Sequence, residues 1–235
     1  MKLWRIRKPD YRTDREERAN NGSIKFPFGL PGVECCGTWG GCDLLDLQCP
    51  IELRKMRALT ERRPVIPDEL EEIRSTLRRY PGFANLGIMD LTPGMRFMPP
   101  RFSPPRIVDN DFLWPASEAP VVSPRVAALL GRSCPGSFVG IPMPECSDWI
   151  LLIIKRRTLP PIERRSDRIC SRCGRPNKVS APTKLAIFED MIPEGEMFLL
   201  DTTLHILITD RLKQQLDEAG VRNIAFDPIM AHAKP

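Results

Sequence analysis

Between Asp68 and Arg79 the apolar residues Leu70, Ile73 and Leu77 recur three and four positions apart, so they share one face of a helix. Early glutamates suit the positive helix end and late arginines the negative end, and together these signals predict a helix over 68–79. A shorter helix is predicted at Ser123–Leu130, with Ser123 as N-cap, Pro124 at the first helical position and Gly131 as the stop. Ile51, Leu53, Met56 and Leu59 fit another short helix. Trp4–Arg7 alternates apolar and polar residues, the pattern of a half-buried edge strand, and the apolar run Trp149–Ile154 reads as a buried strand. The most regular stretch is the last. It predicts a strand at Leu204–Ile208, a helix at Asp210–Ala219 capped by Gly220, and a strand at Ile224–Phe226. If those two strands are parallel, the crossover between them is right-handed.

Proline interrupts much of the remainder. There are 25 in 235 residues, and each removes a backbone donor and breaks helix interiors and central strands, so the elements should be short. Asn20–Gly32 reads as loop, and residues 81–120 as an irregular but ordered middle. Hydrophobic residues at 42% and charged residues at 28% are enough for a packed core. The expected fold class is α+β: an irregular, proline-rich mixed fold with a C-terminal strand–helix–strand unit. One domain over 1–235 is expected, and it admits two subdomains, about 1–140 and 141–235. The charged N-terminus, Met1–Arg18, has no secretion-signal core, and the longest apolar run is too short for a bilayer. A cytoplasmic location without membrane contact is the expectation.

The net charge of +5 is unevenly placed. Lys155–Lys178 holds nine Lys or Arg against Glu163 and Asp167, a local charge of +7 that leaves the rest of the chain at −2. Such a segment suits nucleic acid or an acidic protein partner. No Phe, Tyr or Trp interrupts it to stack on bases, which argues against nucleic acid.

Eight cysteines in a reducing compartment point to metal ligation sooner than to a disulfide framework. Cys170-Ser171-Arg172-Cys173-Gly174 has the form of a metal knuckle: two thiolates three residues apart can converge on one ion, and the glycine permits the turn that brings backbone N–H groups to the sulfurs. A redox pair is the weaker reading, because this one sits in a polar, Arg-rich loop instead of at a strand-to-helix junction. Two further ligands must come from elsewhere. Cys36-Gly37 repeats the Cys-Gly step, making Cys36 the third ligand, with Cys35, Cys42 and Cys49 as candidates for the fourth. Adjacent side chains of an extended chain point apart, which favours Cys42 over Cys35 on geometry, while the motif favours Cys35. The ion is Zn²⁺ or, as the alternative, four thiolates hold an iron–sulfur cluster. Cys134 and Cys146 read as buried free thiols.

A catalytic zinc keeps an open position and takes His or carboxylate ligands. Of the two histidines, His205 falls in an apolar strand pattern and reads as a packed core residue, and His232 falls in a frayed tail. Phosphate loop, dinucleotide fingerprint and nucleophile elbow are all missing from the sequence. Glu16, Glu17, Glu71 and Glu72 read as solvated charges. The chain is therefore not expected to be an enzyme, and the metal is expected to be structural.

The order of landmarks GLPGVECCGTW at 29–39, TPGMRF at 92–97, DFLWP at 111–115, CSRCGRPN at 170–177 and ITDRLKQQLDEAGVRNIAF at 208–226 resembles that of the double-CxxCG motif proteins, a family of myxobacterial-type immunity proteins of secreted or contact-delivered toxins. The second CxxCG motif is intact as Cys170, Cys173 and Gly174. The first departs from the pattern, because Val33 stands three residues before Cys36, so that Cys35 replaces the missing cysteine or the loop is shorter. The resemblance implies a knuckle joining the N- and C-terminal parts of the chain. It also implies an immunity protein that binds a cognate polymorphic toxin domain. A zinc-ribbon nucleic-acid binder using 155–178 is the alternative.

Overall fold

The strand at Lys2–Arg7 (β1) lies in the middle of a sheet and not at its edge. After it come α1 (Asp14–Asn21), β2 (Ser23–Lys25), β3 (Leu44–Gln48), α2 (Ile51–Arg54), α3 (Pro67–Arg79), β4 (Arg96–Met98), β5 (Arg101–Ser103), β6 (Phe112–Leu113), β7 (Val121–Val122), α4 (Pro124–Ser133), β8 (Phe138–Met143), β9 (Cys146–Ile154), β10 (Arg157–Thr158), β11 (Ile187–Phe188), β12 (Met197–Leu200), β13 (His205–Thr209), α5 (Asp210–Glu218) and β14 (Ala225–His232). This computed structural model describes residues 2–31, 33, 44–55, 64–80, 95–98, 100–107, 109–115, 120–143, 146–155, 157–158, 187–200 and 205–232. The chain divides into two units, Met1–Ile24 with Phe102–Asp167 and Lys178–Pro235, and Lys25–Arg101 with Arg168–Asn177. Position 140 itself lies inside β8.

The first unit contains a six-stranded sheet, β10-β12-β13-β1-β14-β11, and a four-stranded sheet, β6-β7-β9-β8. β13 and β14 each pair antiparallel with β1, so the two run parallel to one another with β1 between them. The predicted C-terminal strand–helix–strand unit is thus present, split by the N-terminal strand. Alternation decides what each face carries. Ile6, Ile206, Ile208, Met197 and Leu199 join a core cluster with Val126 and Leu130 of α4, Leu212 and Leu216 of α5, and Phe112, Val122, Leu152 and Ile154 of the smaller sheet. Leu3, Phe198, Leu200, Leu207 and Ile229 form a second cluster with Ile187. Burial on both faces explains why β12 and the run Trp149–Ile154 are almost wholly apolar. Each such Leu or Ile contributes roughly 1.5–3 kcal/mol relative to exposure.

The second unit gathers Leu30, Cys49, Leu53, Ile73, Leu77, Met95 and Phe97 into one cluster. α3 supplies Ile73 and Leu77 from the face its periodicity predicts, with Leu70 also buried. The backbone N–H of its N-cap, Ile66, donates to Glu69 Oε2 at 3.3 Å, satisfying a donor outside the helix. β3 runs parallel to β4, Leu30 N–H donates to Met95 O at 2.8 Å, and Phe97 N–H donates to Phe28 O at 3.2 Å.

Several expectations are corrected. α1 occupies part of the stretch read as charged terminus and loop; Thr13 Oγ1 accepts from Glu16 N–H at 3.1 Å as its N-cap, and Glu16 Oε2 accepts from Arg12 N–H at 2.9 Å. α4 starts at Pro124 with Ser123 as cap, as predicted, yet runs through Gly131 to Ser133. Gly131 costs a helix only about 1 kcal/mol relative to alanine, too little to end one whose Val126 and Leu130 are buried. α5 is capped by Ala219, with Gly220 one residue beyond at φ +60°. The tail through His232 is strand, because β14 pairs with β11 there. In the middle of the chain the described stretches form the short strands β4, β5 and β6. Among the described residues no helix is long and apolar enough to cross a membrane.

Candidate functional site

The predicted ligands Cys35, Cys36, Cys42, Cys170 and Cys173 lie outside the described residues. Among the described residues no group of three or more His, Cys, Asp or Glu is placed to hold a metal ion. The cysteines that are described have other surroundings. Cys49 is buried in the core of the second unit, beside Leu53 and Phe97 in the same cluster, and its Sγ donates to Pro50 O at 3.7 Å. Burial pushes its thiol up to about 11, against a smaller opposing effect of Arg54, so the thiolate that a metal requires is disfavoured there. Cys49 therefore packs as a small hydrophobe among the apolar side chains of this core. Cys134 is buried at the end of α4, where its Sγ donates to Leu130 O at 2.9 Å. Cys146, expected to be buried, is half-exposed at the start of β9.

His205 is not the simple core residue its apolar neighbours imply. It begins β13, half-buried, on the same sheet face as Arg5 and Asp227. Register places Asp227 directly across from Arg5 and diagonally from Arg7. Arg5 Nε donates to Asp227 Oδ2 at 3.1 Å and Arg7 Nε to Asp227 Oδ1 at 3.0 Å. Arg7 Nη1 also reaches Asp10 Oδ1 at 3.0 Å. Burial alone would raise the Asp227 carboxyl; the hydrogen bonds from Arg7 and Arg5 outweigh it and hold the group below the usual carboxylate range. The alternation of Trp4–Arg7 therefore arises from cross-strand ion pairs within the sheet, and this is why it misled as an edge signal.

Arg5 Nη1 approaches His205 Nε2 at 3.5 Å. A guanidinium can only donate, so a hydrogen bond here requires Nε2 to accept, which is the role of the neutral ring with its proton on Nδ1. Burial, then the charge of Arg5, lowers the His205 pKa to about 4, against a smaller pull from Asp227. Nδ1 is buried without a hydrogen-bond partner among the described residues. Chemically the arrangement is a saturated ion-pair lattice with a neutral imidazole at its margin.

Two joints that residue types alone did not single out tie the first unit together. Asp111 accepts from Ser123 Oγ at 3.0 Å, from Arg125 Nη2 at 2.6 Å and from Arg222 N–H at 3.1 Å, and Arg125 Nη1 donates to Ala219 O at 2.6 Å. One carboxylate thus fixes β6, the start of α4 and the turn after α5. Beside it, Trp114 N–H donates to Asn21 Oδ1 at 2.9 Å, Trp114 Nε1 donates to Asn223 O at 3.0 Å, and Asn223 Nδ2 donates to Phe112 O at 2.6 Å. The Tyr11 hydroxyl donates to Asn223 Oδ1, and burial raises its phenol above the ordinary value. The sequence signal that pointed here was the DFLWP landmark, read for its resemblance and not for its bonds. No known protein family matches the chain, and no curated protein matches it either.

Proposed function

We propose that this chain is an immunity protein that binds and neutralises a cognate toxin domain in the cytosol, on a scaffold held by a structural metal site. What supports this reading is the resemblance of its ordered landmarks to those of the double-CxxCG immunity proteins, and four of these landmarks meet in pairs. GLPG bonds to TPGMRF through Leu30 and Met95 in the second unit, and DFLWP bonds to the closing stretch through Asp111, Trp114, Arg222 and Asn223 in the first. These contacts bear on the fold, and the toxin-binding reading rests on the resemblance of the landmarks themselves.

The proposed ligands are Cys36, Cys170, Cys173 and Cys35, with Cys42 as the alternative fourth, around Zn²⁺ or, alternatively, an iron–sulfur cluster. Such an ion would supply folding free energy by joining ligands from separated stretches of the chain. A scaffold stiffened by metal and by 25 prolines has little entropy left to lose when a partner docks.

The deciding experiment is co-purification of the tagged full chain with the product of the adjacent gene, with metal and iron–sulfur analysis of the same sample. A stable complex that silences a toxic product supports the proposal. Retention on DNA or RNA with a steep salt dependence, and no protein partner, would replace it with the nucleic-acid reading through residues 155–178.

A further inference from the structure

We draw no further inference here: the strongest candidate, the Arg5, Arg7, Asp227 and His205 side-chain cluster on one face of the six-stranded sheet, carries nothing because its guanidiniums and carboxylates already satisfy one another and nothing in the structure shows a ligand for the half-buried imidazole beside them.

Discussion

Asn223 Nδ2 donates to Asn21 Oδ1 at 3.0 Å, joining the end of the first helix to the turn before the last strand across 202 residues of chain. Asn21 is buried, and its own Nδ2 donates to Glu17 O at 3.0 Å. Asn223 holds φ +63°, a left-handed conformation that asparagine tolerates better than most residues. Its backbone strain and its hydrogen bonds therefore serve one joint.

Replacing Asn223 should separate these two roles. Asn223→Ala removes the side-chain bonds to Asn21 and Phe112 and adds left-handed strain, an expected loss of about 2–3 kcal/mol. Asn223→Gly loses the same bonds but keeps the conformation, and should recover about 1 kcal/mol of that loss. Urea denaturation of the three proteins checks this; equal losses for the two variants would show that the backbone conformation contributes nothing.

Two glycines should respond in opposite directions. At Gly22, with φ +66°, an added Cβ would lie 2.3 Å from Ser103 O and 3.0 Å from the backbone of Pro104 and Pro105. Gly22→Ala is expected to cost about 2–4 kcal/mol. Gly131 lies inside α4 with open space around its Cβ position, so Gly131→Ala should stabilise by about 0.5–1 kcal/mol. The test is the order of the thermal midpoints, alanine at 131 highest and alanine at 22 lowest.

Acid should act through His205. Its folded-state pKa of about 4 lies below the ordinary 6.5, so the unfolded chain takes up the proton first as pH falls. The neutral ring's contribution to stability is whole above pH 6.5 and is lost progressively as pH falls towards 4. His205→Gln should flatten the slope of unfolding free energy between those values. Proton NMR of the imidazole gives the direct check, and titration near 6.5 in the folded protein would refute the assignment.

The cysteines separate core packing from the proposed metal site. Cys49→Ala should cost about 1 kcal/mol through lost burial while metal content stays unchanged. Cys173→Ser should lower metal content and melting temperature together. Elemental analysis beside calorimetry measures both, and a Cys173→Ser protein with full metal and normal melting ends the structural-site proposal.

The chain's local chemistry by itself determined α3, the start of α4 and the last strand–helix–strand unit. α3 has its apolar period and its end charges, α4 its Ser123 cap with Pro124 at the first position, and the last unit an amphipathic helix followed by Gly220, and in each case the signals lie within a dozen or so residues of one another. Only the tertiary structure decided that β1 enters between β13 and β14, because the partners of Arg5 and Arg7 lie more than 200 residues away and alternation looks the same at a sheet edge. It likewise decided that Cys49 is core, since burial among Leu53, Ile73 and Phe97 is a property of the packed unit and not of the residues beside it in sequence. Long-range pairing and burial are set by which surfaces meet, and one-dimensional spacing does not encode that meeting.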